Sequence, residues 1–109
     1  MSESRLDLSV LRRREGGVEK LILIGDADLG TVPKARAALR SLIDDATTAA
    51  SIDMSLLGAL DPCILGDLLG ARMRAIDKGV SLTIVCDDER VLAWLYSSGI
   101  LELIPYSGP

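Results

Sequence analysis

Apolar residues along this chain switch repeatedly between two periods. Strand-sized runs, such as Leu21-Ile22-Leu23-Ile24 and residues 80–86, alternate with longer stretches in which apolar residues recur every three or four positions. The first pattern suits β-strands and the second suits one face of an α-helix. Strands separated by whole helices join by right-handed crossovers and pair in parallel. The expected class is therefore α/β, with a mostly parallel sheet of four to five strands and three to four helices.

The elements read in order as follows. Leu6, Leu8 and Val10 alternate with Arg5, Asp7 and Ser9, the period of a strand with one wet face. Residues 12–17 read as a charged loop ending in Gly16-Gly17, so the first strand forms an N-terminal hairpin at or near a sheet edge. Residues 18–24 are a second strand, apolar on both faces, which predicts cover on each side. A loop follows over 25–30. Thr31 is a candidate helix cap, with Pro33 in the first turn. Val32, Ala35, Leu39, Leu42 and Ile43 follow at helical spacing, leaving Lys34, Arg36 and Arg40 to face water.

Residues 49–55 read as a third strand and 56–60 as a loop. Asp61 is a candidate N-cap, and Pro62 occupies the favoured first helical position. Leu65, Leu68, Leu69 and Ile76 mark a helix that ends near Gly79. Residues 80–86 are a fourth strand. Asp87 and Asp88 open a short helix through Val91, Leu92 and Leu95, stopped by Gly99, with Trp94 read as semi-buried core. Residues 100–104 close the chain as a short strand or helical turn. No repeat, linker or low-complexity tract divides residues 1–109, which read as one domain.

Composition removes several function classes. The chain contains no histidine, which excludes histidine acid–base catalysis, histidine triads and histidine metal ligands. A net charge of −4 with dispersed Arg and Lys argues against nucleic-acid binding. No apolar run approaches the roughly 20 residues of a membrane span, and the polar start lacks a signal segment. A cytoplasmic protein without membrane insertion is expected. Two cysteines are too few for a disulfide scaffold or a structural zinc site, so both thiols are expected reduced, with no metal. Residues 25–30 lack the glycine pattern of a phosphate or dinucleotide loop, and no cofactor is expected.

Four stretches in this order resemble one family. Gly25-Asp26-Ala27-Asp28-Leu29 is similar to its Gly-Glu-Leu-Asp signature, and Asp53-Met54-Ser55 is similar to its Asp-Leu-Ser. Asp61 follows Asp53 by eight residues, the family's spacing to the aspartate opening its Asp-Ser-Ser-Gly motif. Gly79-Val80-Ser81-Leu82 and residues 92–101 resemble its Gly-x-x-Leu strand and final helix end. Over about residues 18–106 the chain resembles the STAS domain of anti-sigma factor antagonists. The resemblance implies a non-enzymatic interaction module that binds a kinase-type anti-sigma factor and so regulates sigma-factor-dependent transcription. In that family the serine after the aspartate is phosphorylated. Here Pro62, Cys63 and Ile64 stand where the family carries Ser-Ser-Gly or Ser-Ala-Gly. Proline has no hydroxyl, so a phosphate's charge of about −1.5 to −2 cannot be added at that position.

Asp26, Asp28 and Asp61 all fall at the carboxyl end of the expected sheet, where open α/β sheets place their sites. With Pro62, Cys63, Ile64 and Asp67 they form the expected partner-binding set. The structural alternative makes Asp61 a cap and the other two loop residues that satisfy backbone donors. Asp67, Arg72, Arg74, Asp77 and Lys78 read as a solvated helix face. Gly66 and Gly70 suit close packing of the helix on the sheet, or close approach of a partner. Cys63 and Cys86 are a candidate redox pair if their strands are neighbours. The helix N-terminus lowers the Cys63 pKa, and Asp61 opposes it. Ser55, Thr31, Ser97 and Ser98 are the alternative phosphoacceptors. Two other readings remain open: a scaffold or transporter subunit of the same fold, and a thiol enzyme through Cys63. The expected oligomeric state is a monomer or weak homodimer.

Overall fold

The computed structural model describes residues 7–108. Arg5 and Leu6, part of the expected first strand, lie outside the described residues. Strand β1 (Ser9–Glu15) pairs antiparallel with β2 (Val18–Ala27). A short 3-10 turn, Leu29–Thr31, leads into α1 (Val32–Asp45). Then come β3 (Ala49–Leu60), α2 (Cys63–Lys78), β4 (Ser81–Val85), α3 (Glu89–Ser98), a second 3-10 turn (Ile100–Glu102) and β5 (Tyr106–Ser107). The five strands lie in the order β1-β2-β3-β4-β5, and every pair after the first is parallel.

Sheet order follows chain order, so right-handed crossovers place all three helices on one face. Burial shows this directly. Leu21, Ile52 and Ile84 are register partners in β2, β3 and β4, and all three are fully buried under the helices. Each contributes about 1.5–3 kcal/mol relative to an exposed side chain. The neighbouring row, Leu11-Ile22-Asp53-Val85-Ser107, crosses all five strands on the other face, and none of these residues is fully buried. The expectation of cover on both sides of β2 is thus corrected. Ile22 and Ile24 are half-buried because, among the described residues, no helix reaches their face.

Three expected loops are strand. Residues 12–15 belong to β1, and the turn is Gly16-Gly17 alone. Both glycines have positive φ (57° and 80°), as the tight turn matching strand twist requires. Arg12 and Arg14 stay in the strand because both reach Glu19 of β2: Arg12 Nη2 lies 2.7 Å from Oε1, and Arg14 pairs with Oε2. Residues 25–27 continue β2 and residues 56–60 continue β3, with Gly25 opposite Leu57 and Ala27 opposite Leu60. Asp26 explains the extension, since its Oδ1 accepts the Ala59 amide at 2.9 Å.

The buried face of α2 is Ile64, Asp67, Leu68, Ala71 and Ala75. Leu69 and Ile76, which marked this helix in the sequence, are 37% and 59% exposed. Ala71 and Ala75 stand on the buried face instead, letting the helix backbone come close to its neighbours. At the far end of α2, Lys78 Nζ donates to the Ile43 carbonyl at 2.9 Å, adding to the Ala46 amide that already caps the end of α1.

Candidate functional site at the strand-to-helix corner

The carboxyl ends of β2, β3 and β4 lie at one edge of the sheet, and the chain turns from β3 into α2 there. Asp61 follows the last residue of β3. Its amide donates to the Ala27 carbonyl at 2.8 Å, which clips the corner to β2. Its carboxylate Oδ1 accepts the Cys63 amide at 2.9 Å. Pro62 already has helical torsions (φ −55°, ψ −18°), so Asp61 acts as the cap and proline as the first helical residue. Proline suits this place, since a first-turn amide has no helical acceptor.

Pro62 is exposed, while Asp61 and Cys63 are half-buried. The Cys63 amide, and then its thiol, hold the Asp61 carboxyl below the usual carboxylate range. Burial, followed by the hydrogen bond and charge of Asp61, pushes the Cys63 thiol up to about 11. The opposing effects foreseen for this thiol therefore resolve against the thiolate. Cys86 is buried with its pKa raised, chiefly by burial. Both cysteines are free, although β3 and β4 are neighbours.

Several expected contact residues face inward. Ile64 is fully buried core. Asp67, expected on a solvated face and in the partner-binding set, has a side chain only 4% exposed and pairs with Arg36 Nε at 2.9 Å. Asp26 is buried against the Ala59 amide. Asp28 forms a reciprocal capping box with Thr31 around the 3-10 turn. Thr31 itself makes no side-chain cap on α1, and its buried hydroxyl donates to the Asp26 carbonyl at 2.9 Å. Ser55 Oγ, half-buried, accepts the Asp87 amide at 3.0 Å. Ser97 is exposed, and Ser98 donates to the Leu95 carbonyl at 2.7 Å.

What the sequence reading missed is the outer surface of α2. Leu69, Met73 and Ile76, at i, i+4 and i+7, form one exposed stripe running away from Pro62, with Met73 64% exposed. That spacing was visible in the sequence but could not say which face it marked. Gly66 and Gly70 also point outward: an added Cβ at either would meet no atom within 4 Å. Packing on the sheet is therefore not the reason for these glycines. Among the described residues no group of three or more acidic or cysteine side chains is placed to hold a metal ion. No helix among them is long and apolar enough to cross a membrane.

No protein-family model matches the chain, and no curated protein matches it. Solved structures do. An anti-sigma factor antagonist from Mycobacterium paratuberculosis aligns over 92% of this chain and 85% of its own, at 19% identity and a TM-score of 0.82. The anti-sigma factor antagonist SpoIIAA in its unphosphorylated form aligns over 91% of this chain and 88% of its own, at 18% identity and a TM-score of 0.69. The chain therefore has the fold of the anti-sigma factor antagonists, the STAS fold that the four sequence stretches resembled.

Proposed function

We propose that this protein is an anti-sigma factor antagonist. It binds a kinase-type anti-sigma factor in the cytoplasm and so frees a sigma factor, without catalysing a reaction of its own. The observation that carries the reading is the exposed Pro62 at a capped strand-to-helix corner, on the fold of such antagonists. Asp61, Pro62 and Cys63 present the rim of the docking surface, and the outer stripe of α2 extends it with apolar area.

Pro62 makes the interaction differ in one respect. No phosphoester forms at an imino acid, so no charge is added there to expel the partner. Control then rests on the amount of each protein rather than on a covalent state of this corner. The test is calorimetry of the purified chain against each kinase-type anti-sigma factor of its host, with a parallel phosphotransfer assay using labelled ATP. Binding without label on the chain is expected. Failure to bind any of them, or label on the wild-type chain, refutes the reading.

A further inference from the structure

Strand β2 carries Ile22 and Ile24 on the face that, among the described residues, no helix covers. A sheet with one wet face alternates apolar and polar side chains, and here β2 departs from that pattern. The apolar area continues sideways. Leu11 of β1 lies beside Ile22, and Leu56 of β3 lies beside Ile24. They are 51% and 58% exposed. Val85 of β4, half-buried, lies beyond Asp53 in the same row. An open hollow of about 460 Å³ runs over Ile22, Asp53 and Val85. Single exposed aliphatic side chains are ordinary, whereas a patch that crosses four strands marks a contact surface.

Charge selects the occupant. Arg13 and Lys20, partners in register, edge the hollow. Both turn to one carboxylate, Glu15, at 3.4 and 2.7 Å, so this end of the face keeps a positive excess. Asp53 stands on β3, one row further along the sheet. Its Oδ1 accepts the Ser55 amide at 2.9 Å, and among the described residues it makes no ion pair. The face therefore has a cationic end and an anionic centre, and its occupant must offer both signs in reciprocal positions. A second copy does so of necessity, because across a two-fold axis every contact is made twice.

We infer that the open sheet face is a self-association surface, on which two copies pack face to face with Lys20 of each over Asp53 of the other. A two-fold axis lying in the contact plane, midway between Lys20 and Asp53, makes both pairs at once. The same axis brings Leu11 and Ile22 of the two copies together at the centre. The inference stands apart from the antagonist reading. The contact lies on the face opposite the helices and leaves Pro62 free.

Sedimentation equilibrium of the purified full chain tests it. The mass is expected to climb with concentration from 11.6 kDa toward twice that value. Leu11→Asp places two carboxylates at the centre of the contact. Lys20→Asp and Asp53→Lys each set like charges against one another. Each of the three is expected to raise the dissociation constant by about tenfold or more. The double variant Lys20→Asp/Asp53→Lys restores both pairs with their signs exchanged and is expected to recover most of that loss, which a merely disturbed fold would not do. A wild type that stays monomeric at every concentration overturns the proposal. So does a dimer indifferent to all three single variants, since its contact lies elsewhere. A monomer whose Leu11→Asp variant loses affinity for its anti-sigma factor makes that protein the occupant of the face and likewise overturns the proposal.

Discussion

Asp26 clamps the ends of β2 and β3 together. Its Oδ1 accepts the Ala59 amide at 2.9 Å directly over Gly58, which has no side chain to interfere. The clamp carries both strands past the point where their hydrophobic pattern ends and so sets the position of Asp61. The corner that presents Pro62 depends on a buried carboxylate on the neighbouring strand.

Replacing Gly58 by alanine tests the clamp. A Cβ there would stand 2.5 Å from Asp26 Oδ1, which is itself buried and hydrogen-bonded. Overpacking of this kind costs about 1–3 kcal/mol. Gly58→Ala is expected to lose that much in urea denaturation. A variant as stable as wild type removes the clamp from the explanation of the corner.

Cys63 is expected to be a slow thiol. With a pKa of about 11, only about one molecule in 10⁴ carries thiolate at neutral pH, and thiolate is the reactive form. Iodoacetamide should label it far more slowly than free cysteine, with the rate climbing about tenfold per pH unit to near pH 11. Asp61→Asn should speed labelling by removing a nearby negative charge, while burial keeps the thiol slower than free cysteine. Labelling of the wild type as fast as free cysteine refutes the assignment and revives the thiol-enzyme reading.

Much of the fold was legible in the sequence because period and punctuation agreed. Asp88 and Gly99 bracket α3 as read, with Asp88 Oδ1 accepting the Val91 amide at 3.0 Å. Reading failed where a tertiary contact overrode local pattern. The charges at 12–15 looked like a loop, yet Glu19 across the hairpin pairs with Arg12 and Arg14 and keeps them in strand. Leu68 was read with this helix and is buried, but the weight given to Leu69 and Ile76 hid Ala71 and Ala75 beside it, because small residues carry little hydrophobic signal while allowing the closest packing. At the site, the corner and its proline were readable from spacing alone. The inward turn of Asp67 was not, because its partner Arg36 lies 31 residues away on another helix.

Pro62→Ser restores a hydroxyl at the corner without touching the Asp61 cap. The only expected cost is the lost stiffening of the unfolded chain, about 0.4–1 kcal/mol. Incubated with ATP and the anti-sigma factor that binds the wild type, this variant should gain one phosphate by intact-protein mass and then release its partner. A folded variant that binds yet takes no phosphate shows that the surface around the corner no longer suits the kinase's active site.

Glu19 predicts a direction for acid sensitivity. Its side chain is buried between two guanidinium groups, and Arg14, then Arg12, lower its pKa below the usual carboxylate value. A carboxyl with a depressed folded-state pKa stabilises the fold fully above its unfolded value, near 4.3, and loses that contribution as pH falls through the folded value. Melting temperature should therefore decline as pH drops from about 5 toward 3 and below. Glu19→Gln should melt lower than wild type at neutral pH, because it leaves Arg12 and Arg14 without their shared anion. It should also show a shallower decline in acid, since one proton-linked contribution is gone. Glu15 and Asp44, whose pKa values are also lowered by their basic neighbours Lys20 and Arg74, act in the same sense and keep the decline from vanishing. Parallel acid profiles for wild type and Glu19→Gln would assign the sensitivity to the other carboxyls with lowered pKa values, Glu15, Asp44 and Asp61, and not to Glu19.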